Sequence, residues 1–480
     1  MHSVHCGAAG LAALLILPGG AQAQDAYRSL AGNMVVSYSP LLDSAESPLE
    51  VLTKGEIYGR IRSNSFRWDW EEPVPGALVD HEIAGLGGSI VFKSADYRGL
   101  GFTVGAYGTS TPWQNFELND YRALKAGKDL VSRGSRDGEY AVIGEAFLQW
   151  QGDRGQLRAG RQIYESAFTA SNDTKMIPNT FDGVSAQFNA TADTHLYAAW
   201  FDGQKLRDHR HAHDVLTFRD ANGDPWRNQD DAGVHRGLSF QNFVDAGQSP
   251  ENELWIASLD HGRDGFQARL STLLVPDVVG QAAIEASRKF AGERWVLTPA
   301  VKYFHQQDRG GGAVGGASLL GNAGPDNPLG YRDPDSLDGG MLAARVDIRH
   351  IGSGLDFRFG YTDVFDEGDL VAPWRGFPTG GYTRAMGQYN WRSNTRSWMV
   401  QLKGDLSRFL PWDGLGILAR FADMDLDESK GAGMTDRTAF NVDLTQRFTA
   451  STMGRFRSVF VNDDGPTGYN EYRIELNYLF

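Results

Sequence analysis

In the final ten residues of the chain, large apolar side chains occupy every second position. Tyr472, Ile474, Leu476, Tyr478 and Phe480 alternate with Glu471, Arg473, Glu475 and Asn477. A period of two makes a strand with one apolar and one polar face. The same alternation runs through Leu342–Arg349, Leu355–Thr362, Phe266–Leu274 and Phe440–Thr445. Followed from end to end, the pattern gives eighteen candidate strands, the first at 56–64 and the last at 469–480. The connections alternate in length: 94–98, 152–154, 191–193, 261–264 and 352–353 are short, whereas 111–139, 165–180, 206–251, 309–339 and 367–395 are long. Tight turns at one end and long loops at the other are the asymmetry of an outer-membrane barrel, and strands of ~10 residues suit a tilted crossing of its apolar band. The expected fold is therefore all-β: a transmembrane antiparallel β-barrel of about 18 strands, with short periplasmic turns and long external loops. Three places fit less well. The segments 194–205 and 252–260 are apolar on both faces, Pro299 interrupts 294–308, and 276–278 is short where a long loop is due.

Composition narrows the alternatives. Hydrophobic residues are 41% and charged residues 22%, too apolar for a disordered chain and too polar for a helical membrane protein. Past residue 23 no apolar run is long enough to span a bilayer as a helix. A net charge of −14 argues against a nucleic-acid partner. Ala8–Leu17 is apolar, Pro18-Gly19-Gly20 breaks it, and Ala21-Gln22-Ala23 fits a small-x-small cleavage pattern, so residues 1–23 are expected to be a cleaved signal peptide. Residues 24–55 are then a periplasmic amino-terminal segment, and 56–480 the barrel. Cys6, the only cysteine, lies in the removed part, which excludes thiolate metal sites, thiol nucleophiles and disulfides from the mature chain. No cofactor and no metal are expected. Asp208–Asp214, with three alternate histidines, and Asp220–Asp224 read as solvated loop segments.

Several stretches resemble the OprD-type porin family. The clearest is Leu157-Arg158-Ala159-Gly160-Arg161-Gln162, followed by Asn172-Asp173-Thr174-Lys175-Met176-Ile177-Pro178-Asn179-Thr180-Phe181. The hairpin around Gly87–Gly105 and Gly144–Gln149 are also similar. The resemblance implies an eighteen-stranded barrel and passive uptake of small solutes, often carboxylates, amino acids or aromatic acids. It also implies that 165–180 folds inward as a constriction loop, with Asn172, Asp173, Lys175, Asn179 and Thr180 offering polar groups and Met176, Ile177 and Pro178 shaping the wall.

If the apolar parity faces lipid, the other faces water. That parity carries Arg60, Arg62, Arg269, Arg345, Arg349, Arg358, Arg420, Arg455, Arg457 and Arg473, with Glu285, Asp347, Asp356, Asp443 and Glu475 among them. Residues i and i+2 stand ~7 Å apart on one face, so guanidinium groups at that spacing can hand a carboxylate from one fork to the next. Arg60, Arg62, Arg345, Arg349, Arg358, Arg420, Arg455 and Arg457 are the expected solute path. The bland alternative is that they pair with neighbouring acids and brace the wall. A barrel enzyme of lipase or protease type is the other functional class, but the sequence has no Gly-x-Ser-x-Gly motif. A general non-selective pore also stays open. Expected partners are outer-membrane lipid and lipopolysaccharide, small-molecule solutes, the barrel-assembly machinery through the strand ending in Phe480, and further copies of the chain in a loose homotrimer.

Overall fold

The computed structural model describes residues 28–30, 36–38, 42, 44–72, 79–117, 138–171, 176–207, 209–212, 214–215, 235–248, 253–321, 323–324, 327–372, 381–387, 391–431, 434–465 and 467–480. The expected signal peptide and the segment 220–224 lie outside the described residues. Eighteen long strands follow one another: β1 (Glu56–Trp70), β2 (His81–Lys93), β3 (Leu100–Gln114), β4 (Glu139–Gly152), β5 (Gly155–Gln162), β6 (Thr180–Asn189), β7 (Thr194–Lys205), β8 (Leu254–Arg263) and β9 (Phe266–Val275) make the first half. The second half is β10 (Val279–Arg288), β11 (Trp295–Asp308), β12 (Gly339–His350), β13 (Leu355–Val364), β14 (Arg396–Asp405), β15 (Leu415–Asp425), β16 (Arg437–Arg447), β17 (Thr452–Asp463) and β18 (Tyr469–Leu479). Each pairs antiparallel with the next, and β18 returns to β1 to close a barrel. A separate two-stranded ladder joins Arg28–Leu30 to Val36–Tyr38.

Closure is completed at the carboxyl terminus. Beyond the last paired residues, the Phe480 N–H donates to Gly59 O at 3.1 Å and the Gly59 N–H to Phe480 O at 3.0 Å. A side chain at position 59 would meet the Phe480 ring at 2.5 Å and the Ser89 carbonyl at 2.2 Å, so only glycine lets the terminal ring lie there. At the short-turn end, Asp264 and Gly265 have φ of 50° and 80°, the left-handed pair that a two-residue hairpin needs.

The three awkward places resolve in physical terms. Both segments that are apolar on two faces are full wall strands, because loops pack against their inner sides: Phe201 and Leu254 belong to a buried cluster with loop residues Phe168, Val215 and Leu238. Pro299 faces a break in its neighbour's ladder. The β10 pairing ends at Ser287 opposite Ala300, and the two-residue strand Phe290–Ala291 takes over only at Leu297. The missing proline N–H therefore costs no wall bond on that side. The connection 276–278 is a true tight turn at the long-loop end, and β9 and β10 pair in full on either side of it.

One parity of the wall is exposed and apolar, as shown by Leu148, Ile284, Phe359 and Ile474, each exposed by about half or more. The opposite parity is buried and largely polar, including Arg60, Arg62, Asn64, Gln281, Gln306, Asn441 and Glu475. Soluble sandwiches put their apolar faces together; here they point outward, which suits hydrocarbon. A charge on that face near mid-wall costs about 2–4 kcal/mol in a bilayer. Phe359→Arg, mid-strand on β13, is therefore expected to destabilise the protein by that order, read as the shift in a denaturant midpoint in lipid vesicles. A neutral result would mean that this face does not touch lipid.

Candidate functional site

Cross-strand register brings the expected arginines to shared carboxylates. Asp443 on β16 accepts from Arg455 at 2.5 Å and from Arg457 at 3.2 Å, both on β17. Asp347 on β12 accepts two hydrogen bonds from Arg358, at 2.5 and 3.2 Å, and stands 3.3 Å from Arg345. On β15, Arg420 donates to Gln401 at 2.8 Å. Two arginines to one acid, at two places, leave this wall with surplus positive charge. Across the seam, Arg62 lies 3.4 Å from Glu475 with neither side chain exposed, and Arg60 is buried in the same inner row of β1. Arg349 is set apart: it stands at the short-turn rim, mostly exposed, 3.8 Å from Asp356. Arg161, within the Gly-Arg-Gln stretch, shares the parity of exposed Leu157 and is clamped to Asp182 by two 2.7 Å bonds.

The described parts of the connection after β5, residues 163–171 and 176–179, pack inside the barrel. Near its start, Phe168 packs against Phe304 of β11, with ring centres 6.2 Å apart. Near its end, Met176 lies over Gly87 of β2, where a Cβ would meet its Cγ at 2.9 Å. Ile177 is wholly buried with Tyr58, Ile83 and Val142. Apolar contacts on two sides of the barrel pull this segment inward. Side chain to backbone bonds tie it to the end of β7: the Lys205 ammonium donates to Pro178 O at 3.1 Å, and Asn179 Oδ1 accepts from the Arg207 backbone N–H at 2.7 Å. Asn179 and Pro178 thus act as brackets. Asn172, Asp173 and Lys175 lie outside the described residues.

A second inward segment has no period for sequence reasoning to detect. Residues 381–387, part of a connection read from sequence as external, run along the inner wall. Tyr382 covers Arg345 with its ring centre 4.5 Å away. Thr383 bonds to Thr362 and Ser397, at 3.1 and 2.7 Å. The Met386 N–H donates to Asn441 at 2.5 Å, and Gly387 lies against Val461. This path carries Arg384 into the barrel. Arg384 is half-buried there, with Arg420, Arg457 and Arg207 as its charged neighbours. One inward segment, two strands and a residue just past the end of β7 thus supply Arg384, Arg420, Arg457 and Arg207 to the same part of the interior. Neither Arg207 nor Arg384 belonged to the expected set, since no strand alternation marks them.

Above this level the long loops are tied to one another. Asp369, fully buried, accepts from the Leu319 and Ser393 N–H groups at 2.9 and 2.8 Å, from Tyr331 Oη at 3.0 Å and from Arg392 at 2.9 Å. Lys430 is almost wholly buried; it donates to Gly330 O and, at 2.7 Å, to Asp366, and it lies over the Tyr331 ring. Burial alone would raise Asp366, but Lys430 and Arg332 outweigh it and lower its pKa. Asp427 is lowered in the same way, through Asn394, Ser429 and Lys430. A depressed folded value stabilises the tied loops above the ordinary carboxylate range, and that contribution is lost as pH falls through the folded value. Loop cleavage by an acid-tolerant protease is thus expected to accelerate below pH ~4. Lys430→Met should reproduce the effect at neutral pH, and equal cleavage rates at both pH values would rule the tie out.

Comparison with protein-family models and with curated proteins found no match to this chain. Solved structures do match. Pseudomonas aeruginosa OccK9 (OpdG) has a TM-score of 0.68 at 16% identity, covering 90% of this chain and 99% of its own. P. aeruginosa OpdK, solved with vanillate, gives 0.66 at 16% identity over 90% and 99%. Acinetobacter baumannii OccAB3 gives 0.67 at 13% identity over 89% and 99%. These structural neighbours are porins of the OprD/Occ kind. At such identities the likeness is one of fold, and the fold of this chain is that of an outer-membrane porin barrel.

Proposed function

We propose that the chain is an outer-membrane porin through which small carboxylate-bearing solutes diffuse, with the arginine-rich inner wall as their path. The observation that carries this reading is the inner-wall row in which Arg455 and Arg457 share Asp443, Arg345 and Arg358 share Asp347, and Arg420 lies on a neighbouring strand. Like charges held together in a partly desolvated place are relieved by an anion, and guanidinium forks match a carboxylate. Arg345, Arg358, Arg455 and Arg457 share two aspartates, so each attracts an anion less than a lone arginine would. A conduit needs sites that bind weakly enough to release. Arg60 and Arg62 extend the row across the seam, and Arg349 marks the exit. One structural neighbour, OpdK, was solved with vanillate, a carboxylate; small carboxylates are proposed for this chain on the same chemistry.

The segment 165–180 is proposed as the constriction, with Asn172, Asp173 and Lys175 at its tip and Pro178 and Asn179 as its fixed base. Residues 1–23 would direct export and be removed, 24–55 would lie in the periplasm, and lipid with lipopolysaccharide would cover the apolar face. The porin reading is tested by reconstitution in planar bilayers. Open channels with anion-selective reversal potentials are expected, and Arg384→Gln with Arg457→Gln should lower that selectivity several-fold. A stepwise current that prefers cations before and after these substitutions would leave a general pore and remove the carboxylate path. No current from folded protein would remove the porin itself. Met176→Ser with Ile177→Ser should free the inward segment and raise unit conductance; an unchanged conductance would mean that this segment does not set the bore.

A further inference from the structure

The outer face of the barrel is not uniform at its short-turn end. Arg263 alternates with exposed Leu259 on β8, Phe266 with Leu270 on β9, and Arg288 with Ile284 on β10, so all three point outward at the foot of the wall. Register sets them in one row: Phe266 stands opposite Arg263 on one side and Arg288 on the other. With strands ~4.8 Å apart, the two arginines flank the ring at a backbone separation of about 10 Å. The two turns beside them are joined, since the Lys289 N–H donates to Gly265 O at 2.8 Å. Arg263 lies 3.5 Å from Asp264, with both side chains mostly exposed, whereas Arg288, Lys289 and Arg294 make no ion pair among the described residues. These four cations outnumber Asp264 and Glu293 of the same turns, and still outnumber the acids when Asp193 of the adjoining turn is added, in a chain of net charge −14. Phe290 and Trp295, each about half exposed, continue the rim. Aromatic side chains at such a rim mark the boundary between hydrocarbon and water, which puts the cations at the height of lipid headgroups.

We propose that this rim seats an anionic phospholipid. The phosphodiester lies between Arg263 and Arg288, whose long side chains reach it from the two sides of Phe266, and guanidinium forks match its paired oxygens. Lys289 and Arg294 add positive charge on the adjoining turn. One row further into the wall stand the small side chains of Ala268 and Ala286, and beyond them Leu259, Leu270 and Ile284 offer apolar contact to an acyl chain. A zwitterionic headgroup would place its ammonium among cations that repel it. The charge balance of the rim therefore selects a headgroup whose only charge is the phosphate. This seat lies on the outer face and goes beyond any reading of what the bore admits; it needs only that the barrel stand in a bilayer.

The test reconstitutes the purified full-length protein in vesicles with equal parts of phosphatidylglycerol and phosphatidylethanolamine of matched acyl chains. The protein is then extracted in mild detergent, and the lipid retained per protein is counted by mass spectrometry. Phosphatidylglycerol is expected to be retained several-fold over phosphatidylethanolamine. Arg263→Gln with Arg288→Gln should lower that ratio by about fivefold, the effect of one cation near a membrane surface. Arg154→Gln with Arg447→Gln, which removes exposed cations beside other short turns, should leave it unchanged. Should the first pair fail to fold, a wash of the unsubstituted protein at ~1 M salt, where charges are screened within ~3 Å, is expected to abolish the preference. Equal retention of the two lipids, a preference that survives this wash, or an equal fall for the second pair of substitutions overturns the seat. The count needs no channel activity, so its failure and that of the porin reading are told apart.

Discussion

Every backbone N–H and C=O in a wall that faces hydrocarbon has to find its partner within that wall. This one requirement sets the rest of the structure. It forces eighteen strands to pair in sequence and forces the last to meet the first. The seam shows how local the condition is, because Phe480 and Gly59 exchange both of their backbone bonds one residue beyond the ladder's end. Once the ring closes, side-chain direction stops being free. Successive residues point in and out by geometry alone, so an apolar outer face and a polar inner face follow from one alternation.

The inner face then has a problem of its own. A packed core would satisfy it, but the side chains there are charged. The structure answers with shared acids and inward chain. Asp443 serves two arginines and Asp347 serves two more. The inward chain after β5 (163–171 and 176–179) and the segment 381–387 bring backbone and small hydroxyls against the wall, where specific partners hold them. Lys205 and Asn179 hold the first, while Thr362, Ser397 and Asn441 hold the second. The same contacts that satisfy these segments fix Arg207 and Arg384 near Arg420 and Arg457. On the proposed solute path, bracing and attraction would not be rival roles, since an arginine held by an acid would keep part of its charge for a passing anion.

The strands were legible because their signal has a period. Tyr472 through Phe480 could be assigned from alternation alone, and the wall arginines followed from parity, so Arg345, Arg358, Arg455 and Arg457 are found on the buried face. The loops carry no such period. Arg384 sits in Gly381-Tyr382-Thr383-Arg384-Ala385-Met386, where nothing distinguishes an inward segment from a solvated one. Its direction is decided by long-range contacts to Thr362 and Asn441, invisible until the barrel has closed. Arg349 illustrates the opposite failure. Its parity is right, but parity says nothing of height, and height places it at the rim beside Asp356. Arg161 lies in the Gly-Arg-Gln stretch that carries the resemblance, yet its parity matches exposed Leu157 and its charge is closed by Asp182.

Height also gives the interior a direction. Near mid-wall, two aspartates are each shared by two arginines. Toward the short turns this surplus ends, where Asp260 and Glu285 alternate one for one with Arg269 and Lys302. On the proposed carboxylate path, an anion that moves from the first region to the second would leave attraction for a balanced wall. That change would act as a release step for a solute whose only charge is negative. A passive conduit needs such a step as much as it needs a binding site, because a solute held throughout its passage would block the path that attracts it.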